Sequence, residues 1–196
     1  LVVLAWGLVV GVLVQIIIGG VVVLTGLNPY ANMAHFLVSL VLVANAFVLF
    51  RRSGELPASY FRSGPQRLVL AIRLVVVSSA LALVTGTVVT ASGPHAGDEK
   101  AIRLGFELTS VARVHSASVL ITIGLIIFLG IFATRLQADF STHDAIQTLL
   151  LASVFQGAIG YAQYFSGVPV ALVAIHIAGA TALWFAVCNL AVSPST

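Results

Sequence analysis

Histidine is the side chain in this sequence with the most chemistry to offer. Five occur, at positions 35, 95, 115, 143 and 176. His35, His115 and His176 fall inside long apolar stretches, where a bare imidazole is costly unless it is paired or functional. A neutral imidazole presents a nitrogen lone pair, so its first use in such surroundings is as a metal ligand. Two of them on facing helices of a bundle can take both axial positions of a haem iron. Structural zinc is the poorer alternative, because it asks for four close nitrogen or sulfur ligands and no cysteine or carboxylate accompanies these histidines at the same depth. His95 and His143 lie in polar stretches and read as solvated loop residues.

Two of the three apolar histidines sit in a repeat. Gln15–His35, QIIIGGVVVLTGLNPYANMAH, returns without a gap as Gln156–His176, QGAIGYAQYFSGVPVALVAIH, at an offset of 141 residues. Gln15 meets Gln156, Ile18 meets Ile159, Gly19 meets Gly160, Gly26 meets Gly167 and His35 meets His176. Matches of Leu or Val are cheap in so apolar a chain, but Gln, Gly and His in common register point to an internal duplication.

The elements that must carry these residues follow from composition. The chain of 196 residues is 60% hydrophobic and 8% charged, with a mean hydropathy of +1.12, which excludes a soluble globular domain. A span needs about 20 mostly apolar residues to cross the hydrocarbon core. Six such stretches fit, near 1–24, 32–50, 67–90, 107–134, 145–165 and 169–191. Their length and their Gly, Ala and Leu content favour helices over barrel strands, which would alternate in segments of about ten residues. The expected class is all-α, a polytopic membrane protein with six transmembrane helices.

In a chain of this kind the placement of charge matters more than the net value of +3, and nothing calls for nucleic acid. The 51–67 stretch holds Arg51, Arg52, Arg62 and Arg67, whereas 25–31 and 166–168 hold no basic residue. In the 91–106 stretch Lys100 and Arg103 are offset by Asp98 and Glu99. Positive loops stay on the cytoplasmic side, so 51–67 is expected there, with 135–144 and both chain ends. His35, His115 and His176 then lie near the outer face of the membrane. The single Cys188 leaves no intrachain disulfide, CxxC pair or CxxCH haem attachment. The sequence opens in an apolar helix with neither Met nor a basic n-region.

The stretch RRSGELPASYFRSGPQR is the linker-like composition of the chain. It divides residues 1–50, the second half of an N-terminal bundle, from 68–196, a C-terminal four-helix bundle. Helices one and two match helices five and six, so one bundle is complete and a related one is half present. The repeat then implies two further helices before Leu1 and a fourth histidine about 27 residues upstream of it. His115 and His176 are the expected haem ligand pair, with small neighbours, Ser116, Ala117 and Ser118 after one and Ala178, Gly179 and Ala180 after the other. His35 would pair with the upstream histidine.

Arg113, two residues before His115, can make bidentate contacts with a haem propionate or snorkel to lipid headgroups. Glu107 reads better as a favourable charge in the first turn of a helix than as a site residue. The glycine-rich stretches lack GxxxxGK[ST] and GxGxxG spacing. No Ser-His-Asp or paired-carboxylate arrangement is recognisable.

Taken together, GGVVVLTGLNPYANMAHF, TGTVVTASGPHAGD, the ARVHS at 112–116 and the AIHIAGA at 174–180 resemble the haem A synthase family in its actinobacterial-looking form, across essentially the whole chain. The resemblance implies eight helices in two related four-helix bundles. It implies oxidation of a haem O methyl group to the formyl group of haem A, in successive hydroxylations. It also implies that His115 and His176 ligate a resident haem b that relays electrons, and that His35 serves the side where substrate haem is handled. The catalytic carboxylate would lie upstream of Leu1, so no catalytic residue is assigned within the chain. Implied partners are the haem O substrate, membrane lipid, a haem O-supplying enzyme and an electron donor, with room for a homo-oligomer. A non-enzymatic di-haem b-type electron carrier or quinone-linked anchor would use the same histidines. A transporter built on repeats would place charged or unwound segments at the midplane, and these spans are almost free of them.

Overall fold

The computed structural model describes residues 1–54, 65–94 and 101–192. Among them lie six α-helices and no strand: α1 (Val2–Leu24), α2 (Pro29–Ser53), α3 (Gln66–Ser92), α4 (Leu108–Arg135), α5 (Phe140–Phe165) and α6 (Val170–Ala191). They run 22 to 28 residues. At about 1.5 Å per residue even the shortest covers roughly 30 Å. Each is long and apolar enough to cross a membrane, so the chain is a multi-pass, all-α membrane protein.

Local chemistry sets the helix ends. Asn28 caps α2 by accepting from the backbone N–H groups of Tyr30 and Ala31 at 3.0 and 3.3 Å, with Pro29 at the first helical position. The helix therefore begins three residues before the expected position 32. Asp139 caps α5 by accepting from the Thr142 N–H at 3.1 Å. That cap starts α5 at Phe140 rather than near 145 and moves His143 out of a loop into the first turn of the helix, a correction to its sequence assignment. His95 and most of the arginine-bearing linker lie outside the described residues.

The duplication extends to the stereochemistry of the turns. After α1 the Leu27 N–H donates to the Val22 carbonyl at 2.8 Å and the Gly26 N–H to Val23 at 3.2 Å; after α5 Val168 donates to Gln163 at 2.8 Å and Gly167 to Tyr164 at 3.3 Å. Both are Schellman endings. Gly26 and Gly167 have φ of 63° and 79°, and the residues after them, Leu27 and Val168, also adopt the left-handed region at 62° and 60°. Glycine takes that conformation freely, whereas Leu and above all the β-branched Val do not.

Helices α3, α4, α5 and α6 pack in a closed ring, each on its two neighbours, so that α4 and α6 stand diagonally opposite. The α1–α2 hairpin joins this ring through α2, which lies against α3 and α6, and α1 packs on α2 alone among the described helices. At the seam Trp184 Nε1 donates to the Leu40 carbonyl at 2.9 Å, Arg51 Nη1 donates to Asn189 Oδ1 at 2.9 Å, and Phe47 meets Phe185 edge-on at 6.1 Å.

The ring is filled at one end and open at the other. Leu68, Ile72 and Val75 of α3, Ile126 and Leu129 of α4, Ile146 and Leu149 of α5, and Val187 and Leu190 of α6 form a continuous apolar core. These positions come from the first halves of α3 and α5 and the second halves of α4 and α6, so they meet at one end of the antiparallel bundle. Above them Ser79, Thr122 and Ser153 are buried. Their hydroxyls donate back to the carbonyls of Val75, Ser118 and Leu149 at 2.7 to 2.8 Å. Satisfied in this way, they form a small-residue floor at little cost.

Candidate functional site

Above that floor the four helices, with α2 at one side, line a cavity of about 840 Å³, within the roughly 300–1,000 Å³ range of ligand and cofactor sites. His115 enters it from α4 and His176 from α6. Their ring centroids are 6.5 Å apart and their planes stand at 88°. The diagonal placement of α4 and α6 produces this gap, since no backbone runs between the two imidazoles.

Each imidazole lies against a glycine of the preceding helix. A Cβ on Gly86 of α3 would stand 3.1 Å from His115 Cε1, and one on Gly160 of α5 would stand 3.0 Å from His176 Cε1. Contacts that close are tighter than most real Cβ contacts, so the missing side chains let each ring lie flush against its neighbour. In the hairpin, Gly19 of α1 holds the same relation to His35, at 3.3 Å.

A glutamine one turn before the repeated glycine fixes the backbone beneath the histidine. Gln156 Nε2 donates to the His176 carbonyl, and Gln15 Nε2 donates to the His35 carbonyl at 2.9 Å and also to Ser39. Gln15 and Gly19, like Gln156 and Gly160, therefore act as one unit in which the amide holds the main chain and the glycine admits the ring. The sequence carried this signal as repeated letters in register, but their roles need the helix pairing to be seen. Gly86, in helix α3, has no repeat partner within the chain and gave no such signal.

His35 lines the same cavity, reaching it from α2 together with Asn32, Met33, Phe36 and Ser39. Among the described residues it makes no ring contact with His115 or His176. The α1–α2 hairpin and the four-helix ring thus open onto one shared space. Arg113 is exposed at the cavity lining and makes no hydrogen bond or ion pair with a described residue. Nearby on the lining, Ser116 of α4 and Tyr161 of α5 share a 2.5 Å hydrogen bond. Glu107 stands outside the cavity at the N-cap of α4, accepting from the Ser110 hydroxyl at 2.8 Å.

The pair meets the geometric demand of a six-coordinate haem iron. A metal–imidazole bond of about 2 Å on each side, plus about 1 Å from each nitrogen to its ring centre, puts two axial imidazole centroids roughly 6 Å apart. The observed 6.5 Å matches that span. Among the described residues no group of three or more His, Cys, Asp or Glu gathers at one point, so the donor set here is two imidazoles. Comparisons of the chain with family models, with curated proteins and with solved structures find no match.

Proposed function

We propose that the protein is a haem A synthase that oxidises the methyl group of haem O to the formyl group of haem A, with a resident haem b held between His115 and His176. The observation that carries this reading is the pair of diagonal imidazoles 6.5 Å apart beside a cavity that His35 also lines. Haem b with two axial histidines supplies one-electron transfer and leaves no iron position open to oxygen chemistry.

The chain's own residues divide the remaining work. Gly86 and Gly160 leave the imidazoles free to face one another. Gln156 holds the His176 backbone, and Arg113 meets a propionate carboxylate at the polar edge of the cavity. His35, carried by Gly19 and Gln15, serves the substrate haem within the same space. The membrane is a bacterial cell membrane with the 51–67 stretch cytoplasmic, so the three histidines approach the outer face. A haem O-supplying enzyme and an electron donor are the partners this activity needs.

Extraction of porphyrins from the protein in active membranes tests the reading. Haem O or haem A alongside haem b is the expected result. Haem b alone would overturn the synthase reading in favour of a di-haem b-type electron carrier.

A further inference from the structure

The edge of His115 turned away from the cavity carries a hydroxyl network. Thr85 Oγ1 lies 3.1 Å from His115 Nδ1, 2.9 Å from Ser118 Oγ and 2.9 Å from the Ala82 carbonyl oxygen. Ser118 Oγ lies 2.7 Å from the His115 carbonyl oxygen. Neither Thr85 nor Ser118 lines the cavity, whereas His115 and Gly86 do, so this network stands behind the ring.

The two carbonyl acceptors set the reading of its polarity. Each hydroxyl has one proton to donate, and a carbonyl oxygen only accepts. Ser118 donates to the His115 carbonyl. Thr85 Oγ1 has one proton for three neighbours; directed to the Ala82 carbonyl, that proton leaves Oγ1 to accept from His115 Nδ1–H. The second nitrogen, Nε2, keeps its lone pair.

His176 has no such support. Among the described residues its Nδ1 is enclosed without a hydrogen-bond partner, and the Gln156 contact reaches only its backbone. The two imidazoles therefore face one another with unequal backing. An Nδ1–H bonded to an oxygen fixes the tautomer and raises the basicity of the opposite nitrogen.

We infer that Thr85 is a positioning residue that locks His115 as the Nδ1–H tautomer and makes it the stronger axial donor, leaving His176 as the ligand that detaches first. The inference rests on the axial pairing of His115 and His176. A stronger donor favours the ferric over the ferrous state, so loss of the Thr85 acceptor raises the reduction potential.

The test uses the full chain in detergent, reconstituted with haem b, as wild type, Thr85→Val and Thr85→Ser. Valine keeps the shape and removes the acceptor; serine keeps the acceptor. Thr85→Val should lose haem about tenfold faster and should shift the midpoint potential upward, where a tenfold change in relative ferric and ferrous affinity equals about 59 mV for one electron. Thr85→Ser should match wild type in both. A wild-type potential in Thr85→Val, with the low-spin spectrum intact, overturns the inference and leaves the axial pairing standing. Failure of wild type itself to give a low-spin spectrum overturns the pairing. Should Thr85→Val not fold, nitrogen NMR of His115 in the wild-type apoprotein decides: protonated Nδ1 supports the inference, and protonated Nε2 overturns it.

Discussion

The imidazole planes of His115 and His176 stand at 88° with their centroids 6.5 Å apart. An axial imidazole donates π density normal to its own plane. Crossed planes therefore act on the two iron orbitals of that symmetry alike and keep their energies close. The ferric, haem b-loaded protein should give a low-spin electron paramagnetic resonance signal with a large maximal g value. A rhombic spectrum, typical of parallel planes, would mean that the rings turn on loading.

Replacing either His115 or His176 by Ala should abolish one and the same low-spin haem absorbance, because in the proposed site each would supply one of two axial bonds. His35→Ala should leave that absorbance in place, since His35 lines the cavity without meeting the other two rings. Optical spectra of the three purified variants check this. Survival of the signal in His115→Ala or His176→Ala would remove the axial assignment.

The glycines beside the rings should be intolerant of bulk. A Cβ at Gly86 or Gly160 would press on the imidazole from 3.1 or 3.0 Å, and valine adds two further carbons. Gly86→Val and Gly160→Val should each weaken haem binding at least tenfold, about 1.4 kcal/mol. Gly124 of α4 has open space where its Cβ would stand and lies outside the cavity lining, so Gly124→Ala should bind as wild type. Haem titration of the apoproteins separates these outcomes.

Much of this architecture was legible in the sequence because apolar length alone decides which segments span. The duplication was legible because Gln, Gly and His recur at a fixed offset, and it extends to matching left-handed turns at Gly26 and Gly167. The start of α5 was hidden, since His143 and Asp144 look like loop residues until the Asp139 cap is seen. Thr85 and Gly86 were hidden for a different reason. Threonine and glycine are common in spans, and what distinguishes these two is the helix they face, which no local pattern encodes.

The seam between hairpin and ring should depend on Trp184. Its indole N–H donates to the Leu40 carbonyl, which lies within the helical run of α2, and so adds a bond across the seam. Trp184→Phe keeps the aromatic packing and removes the donor, at an expected cost of about 0.5–1.5 kcal/mol. Thermal unfolding in detergent should show the loss. The midpoint potential of the bound haem should not move, because Trp184 does not line the cavity.

The closed apolar core at one end of the ring and the open space at the other give the bundle the form of a tuning fork. Leu129, Leu149 and Leu190 grip the stem, while the histidine-bearing halves of α4 and α6 are prongs held apart by a gap. Assembly then acquires an order. The polypeptide can enter the membrane and set its stem before any flat ligand arrives. In the proposed site a flat ligand would need only to slide between prongs already at the right spread.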